Sequence, residues 1–94
     1  MTVVLLPHNP DICNMKNIIR MTIQEKVGKT IIKLRKEKGM SQETFAYESG
    51  IDRRYMSDIE NGKRNISLDI LERVADKLGI KLSEFFLEVE NTNE

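Results

Sequence analysis

The sequence predicts an all-α domain of five short helices, and three observations carry that prediction. Apolar residues recur at spacings of three and four. Ser, Thr or Asp stands ahead of each apolar stretch, and Gly follows the first four. No stretch alternates apolar and polar residues as a strand would, and no internal repeat is present.

Thr22-Ile23-Gln24-Glu25 fits a capping box, in which Thr caps the first turn and Glu reaches back to its amide. Val27, Ile31 and Leu34 then form one apolar stripe of the first helix. Lys26, Lys29, Lys33, Arg35, Lys36 and Lys38 are expected to fill its outer surface, and Gly39 is a natural left-handed stop. Ser41 is the cap of a second helix over about Gln42–Ser49, with Phe45 and Ala46 inward. Gly50 makes the turn, Ile51 plugs it, and Asp52 caps a third helix over about Arg53–Glu60 that buries Met56 and Ile59. Asn61-Gly62 ends that helix, and a polar, basic loop follows over Lys63–Ile66. Ser67 caps a fourth helix, about Leu68–Leu78, whose inner face is Leu71, Val74, Ala75 and Leu78. After Gly79, Ser83 is expected to cap a fifth helix over Glu84–Val89. Residues 90–94 read as a frayed tail. Residues 1–21, punctuated by Pro7, Asn9, Pro10 and Asn14, read as a loose arm, with Val3–Leu6 as the segment that would pack if any did. The expected organisation is thus an arm at 1–21, a helical domain at 22–89 and the tail at 90–94.

Ninety-four residues hold one domain and one modest core. Trp is absent and aromatics are few, so Ile, Leu, Val and Met must form most of that core. Cys13 and His8 are each the only residue of their type, which excludes an internal disulfide and argues against zinc. Thr2–Leu6 is far shorter than the roughly 20 apolar residues a membrane span needs, and no signal-peptide pattern is present. A reduced, cytoplasmic protein without a membrane partner is expected. There is no Gly-rich phosphate loop, no metal-ligand cluster, and no Cys–His or Ser–His pair. Neither an enzyme nor a cofactor is expected.

Net charge is zero, but its distribution is not even. Residues 16–64 carry 12 Lys/Arg and 7 Asp/Glu, a local +5, whereas residues 65–94 carry 3 and 7, a local −4. Local field rather than net charge steers a protein to a polyanion. Ordinary solvated helix faces would show the same asymmetry, so charge alone decides nothing.

The stretch Gln42–Asn61 is more specific. Ala46 is small where the third helix must cross the second, and Gly50 stands where the chain needs a positive φ. Ile51, Met56 and Ile59 fill the wedge and lock the interhelical angle. Arg53 and Arg54 then stand in the first turn of the third helix, where cations oppose the helix dipole. Folding gives no reason for them, whereas a rigid guanidinium fork that donates twice to guanine does. The rival reading is a pair of solvated first-turn residues.

With these spacings the chain resembles the Cro/C1-type (XRE-type) helix-turn-helix family over about Ile23–Phe86. The segments KLRKEKGMSQETFA, SDIENGKRNISLDILERVADKLGI and LSEFF follow that family's pattern in order. The run Asp52-Arg-Arg-Tyr-Met-Ser57 followed by Arg64-Asn65 is most similar to the controller proteins of restriction–modification systems. The resemblance implies a five-helix, lambda-repressor-like DNA-binding fold. It implies that Arg53, Arg54, Tyr55 and Ser57 meet bases in the major groove. It also implies that Gln42, Arg64 and Asn65 meet the DNA backbone, with Arg35 and Lys38 as more distal phosphate contacts. The family pairs through its C-terminal region, which implies a homodimer through Ile80, Leu82, Phe85 and Phe86 that reads a pseudo-palindromic operator. Core closure is the rival reading of those four residues. Controllers tune their own gene and the endonuclease gene, activating at one site and repressing at higher occupancy. Activation implies a contact with RNA polymerase, through its sigma subunit, and Glu43 stands at the matching position; a favourable acid at a helix N-terminus is the rival. Antitoxins and prophage repressors share most of these residues. A protein-interaction module that has lost DNA binding is the reading from another class.

Overall fold

The computed structural model describes residues 21–92, which fold into five α-helices. They are α1 (Ile23–Glu37), α2 (Gln42–Ser49), α3 (Arg53–Glu60), α4 (Leu68–Leu78) and α5 (Leu82–Glu90). Four of the five begin where a capping side chain stands. Thr22 Oγ1 accepts from the Glu25 amide while Glu25 Oε1 accepts from the Thr22 amide, at 3.1 and 2.8 Å. Ser41 Oγ accepts from the Thr44 amide and Ser67 Oγ from the Ile70 amide. Asp52 Oδ2 accepts from the amides of Arg54 and Tyr55, at 3.0 and 3.3 Å.

The fifth helix departs from expectation. It opens at Leu82, two residues earlier than a Ser83 cap allows, with Lys81 as the flanking residue. Lysine has no acceptor for the first turn, so only the acidic half of the box is made, with Glu84 Oε1 accepting from the Lys81 amide at 2.8 Å. The early start lets Leu82 pack beside the core. The helix also runs one residue beyond the expected end at Val89. Glu90 closes α5, and Thr92 Oγ1 lies 2.9 Å from Thr30 Oγ1 of α1. Of the arm expected at 1–21, only Met21 is described, and it is buried; the other arm residues, Val3–Leu6 included, and residues 93–94 lie outside the described residues.

One core joins all five helices. Ile31, Phe45, Met56, Val74 and Phe85 are fully buried, one or more from each helix, with Val27, Ile59, Leu71, Leu78 and Val89 around them. Phe85 is therefore a core residue, not an interface residue. Its burial removes roughly 1.5–3 kcal/mol worth of apolar surface from water, and Phe85→Ala reports on folding rather than on assembly.

Two glycines set how α3 sits on the other helices. Gly50 takes φ +71° between α2 and α3, a conformation in which a β-carbon costs about 1–2 kcal/mol. Its carbonyl accepts from Arg73 Nη1 of α4 at 3.1 Å, which ties the turn to the body. Gly28 acts by absence of bulk. A β-carbon there would lie 2.5 Å from the Glu60 carbonyl oxygen and 2.6 Å from that of Ile59. Glycine in mid-helix gives up about 1 kcal/mol of helix propensity, and here it lets α1 touch the end of α3.

Candidate nucleic-acid interface

The Asp52 cap turns the first residues of α3 outward. Arg53 and Arg54 are exposed, and neither forms an ion pair or a side-chain hydrogen bond among the described residues. They line an open groove with Gln42, Asp52 and Ser57, so four of the expected contact residues converge on one face. Met56, Ile59 and Glu60, further along α3, are buried. The helix is thus anchored from Met56 onward and presents two cationic forks from its first turn.

Tyr55 is half-buried and packs at the edge of the core. The Arg64 guanidinium sits 5.1 Å from its ring centroid, within cation–π range, and Arg64 Nε donates to Asp58 Oδ2 at 3.3 Å. The loop therefore folds back onto α3 and supports the ring. Asn65 Oδ1 accepts a hydrogen bond from Gln24 Nε2, which ties the same loop to the start of α1. Arg64 and Asn65 remain at the surface, and both border the cleft that holds Ile23 and Phe86 rather than the groove of Arg53 and Arg54.

Two expected phosphate contacts fall elsewhere. Arg35 is not on the outer surface. Its Nε and Nη2 donate to Glu60 Oε2 and Oε1 at 2.7 and 3.0 Å, and its Nη1 donates to the Met40 carbonyl at 3.1 Å. Its side chain is 11% exposed and that of Glu60 2%. All three guanidinium nitrogens are committed inside the fold, which corrects the reading of Arg35 as a phosphate contact. The hydrogen bond from Arg35 to Glu60 holds the guanidinium's pKa above its ordinary value, against the opposing effect of burial. Lys38 is exposed, but it lines a depression with Leu78, Gly79 and Ile80 rather than the groove of Arg53 and Arg54.

Gln42 is half-buried, and its Nε2 donates to Glu60 Oε1 at 2.9 Å. Glu60 was missed in the sequence, although a signal was there: it stands four residues after Met56, on the apolar stripe of α3. Glu43 is exposed in the first turn of α2. One turn later Tyr47 is 85% exposed, a second residue that spacing did not single out.

The C-terminal residues divide by depth. Phe85 is core, Ile80 and Leu82 are half-buried against the core, and Phe86 and Leu87 are exposed. Phe86 joins Ile23, Val27, Ile66 and Leu71 in an apolar cleft of 160 Å³. That is well below the roughly 300 Å³ at which small-molecule pockets begin. Among the described residues no group of His, Cys, Asp or Glu is arranged to hold a metal ion, and no helix is long and apolar enough to cross a membrane.

Comparison with known proteins agrees with this geometry. A helix-turn-helix family profile matches residues 31–85, which run from mid-α1 to Phe85. The chain is 52% identical over 69 residues to Control protein C.MunI of Mycoplasma sp., covering 72% of this chain and 93% of that one. It is 45% identical over 67 residues to Control protein C.BamHI of Bacillus amyloliquefaciens, covering 71% and 79%. Among solved structures it is similar to the restriction–modification controller protein C.AhdI of Aeromonas hydrophila, with 43% identity, TM-score 0.64, and coverage of 67% of this chain and 96% of that one. The chain belongs to the XRE-type helix-turn-helix family.

Proposed function

We propose that this protein is a sequence-specific DNA-binding regulator of transcription and works as a restriction–modification controller. One observation carries the reading. The first turn of α3 holds two exposed arginines without ionic partners among the described residues, on a helix that Met56, Ile59 and Glu60 lock into the core. Such a helix meets the major groove as a rigid body, and each Arg–guanine pair discriminates by about 1–3 kcal/mol. Arg53 and Arg54 read bases, with Tyr55 and Ser57 beside them. Gln42, Arg64 and Asn65 set the register on phosphates. The likeness to control proteins over nearly their whole length supports the narrower role.

The regulator acts as a homodimer on a pseudo-palindrome. The exposed apolar side chains of Ile23, Leu68, Phe86 and Leu87 support this, and Ile23 and Phe86 line one cleft. A second copy across that face puts two α3 helices about 34 Å apart, one DNA turn. The protein tunes its own gene and the endonuclease gene, activating at one site and repressing at higher occupancy, with Glu43 as the residue offered to RNA polymerase. It works in the cytoplasm.

A gel shift with the duplex upstream of its own gene tests the reading. Selective retardation at ~100 mM salt, where specific binders of this kind still hold, is expected. Equal retardation of a scrambled duplex, or none of either, sinks it.

A further inference from the structure

Glu60 is the most buried carboxylate among the described residues, and it serves two helices at once. Its Oε2 accepts from Arg35 Nε; its Oε1 accepts from both Arg35 Nη2 and Gln42 Nε2. The bidentate ion pair takes two of the carboxylate's roughly four lone-pair sites and leaves Oε1 able to accept once more, from Gln42. That third hydrogen bond runs from the last residue of α3 to the first residue of α2, and Gln42 also lines the groove of Arg53 and Arg54.

The two ends of a carboxamide are nearly the same in shape and opposite in polarity. A carboxylate only accepts, so Glu60 admits the nitrogen of Gln42 and refuses the oxygen. One N–H of that nitrogen is then spent on Glu60, which leaves the second for another acceptor. We propose that Glu60 is a positioning residue for DNA binding. It holds the Gln42 carboxamide in the one orientation that offers an N–H to a phosphate, and Arg35 holds Glu60 in turn. A side chain fixed before DNA arrives loses little further freedom on contact, which converts a surface glutamine into a preorganised donor. The proposal rests on the reading of Gln42 as a phosphate contact.

The test compares the full chain, Gln42→Ala, the paired replacement Arg35→Met with Glu60→Leu, and all three changes together. Exchanging a buried ion pair for apolar residues of similar volume is commonly tolerated by a fold, and thermal melts establish the folded fraction. Affinity is measured on the upstream duplex and on a scrambled duplex of equal length. Gln42→Ala is expected to weaken upstream binding by about tenfold, the scale of a lost hydrogen bond to a charged group. The paired replacement is expected to do the same alone and to add nothing once Gln42 is alanine. A loss of equal size in both backgrounds means that Glu60 is merely structural and overturns the proposal. Should the paired replacement not fold, nuclear relaxation of the Gln42 side-chain nitrogen in the unmodified chain decides. A nitrogen as rigid as the backbone supports the anchor, and a freely rotating one overturns it. An unmodified chain that binds both duplexes alike brings down the DNA-reading function itself. Selective binding with independent effects brings down only the role of Glu60.

Discussion

Arg35 and Arg53 are the same residue in the same basic half of the chain, and they do opposite things. Arg35 turns inward at the α1–α3 seam and commits every guanidinium nitrogen to Glu60 and Met40. Arg53 turns outward from the first turn of α3 and commits none of its own among the described residues. A count of positive charge treats them alike. What separates them is where along its helix each stands. Arg35 stands four residues after Ile31 and eight after Val27, on the buried stripe of α1, whereas Arg53 is the first residue of α3, next to the Asp52 cap and ahead of Met56, where the burial of that helix begins.

That contrast is open to attack. Arg35→Met alone leaves Glu60 buried and unpaired, a loss of about 3–5 kcal/mol, which is a large share of a small domain's stability. A denaturation midpoint close to that of the unmodified chain shows that the seam is not held by this pair. Gly28→Ala brings a methyl group against the carbonyls of Ile59 and Glu60 and is expected to cost about 1–3 kcal/mol by overpacking, despite the better helix propensity of alanine. A gain in melting temperature means that α1 and α3 part easily. Arg53→Ala reverses the pattern of Arg35→Met. Stability is expected to stay within about 0.5 kcal/mol, while base preference at one position of each half-site relaxes by about 1–3 kcal/mol. Binding selections on randomised duplexes measure it, and an equal loss on all sequences makes Arg53 a phosphate contact instead.

The smallest effect is set by pH. Lys33 Nζ lies 3.1 Å from Glu88 Oε1, and that hydrogen bond, followed by the charge of Glu88, raises the lysine pKa above 10.5. A raised folded value means that the stabilisation is complete below 10.5 and is lost as pH climbs through the folded pKa. Both side chains are well exposed, so the pair contributes little. Lys33→Met is expected to lower the melting temperature slightly near neutral pH, with the difference from the unmodified chain closing at the alkaline end. A difference that widens there contradicts the assignment.

The helices were legible wherever a cap and a stop were written in single residues, as with Ser41 and Gly50, or Ser67 and Gly79. The fifth helix was not, because Lys81 carries no acceptor and the local signal at Ser83 lay two residues too late. Gln42, Arg53, Arg54 and Ser57, which line one groove, were singled out by the family resemblance rather than by helix periodicity. The burial of Arg35 was not legible, since charge was weighed before position, although Arg35 and Glu60 each extend an apolar stripe and carry opposite signs. Gly28 was silent for a different reason. Its purpose lies in the carbonyls of a helix 31 residues further on, and nothing within its own helix announces that contact.

The two helices that form the reading surface are eight residues each. Isolated helices in water become even marginally stable only at about 12–15 residues, so neither has an existence apart from the core beneath it. The surface they form therefore exists only in the molecules that are folded at that moment. A lesion deep in the core, such as at Phe85 or Val74, acts in the cell as a change of dose, and under the proposed function a dose is what such a regulator would sense.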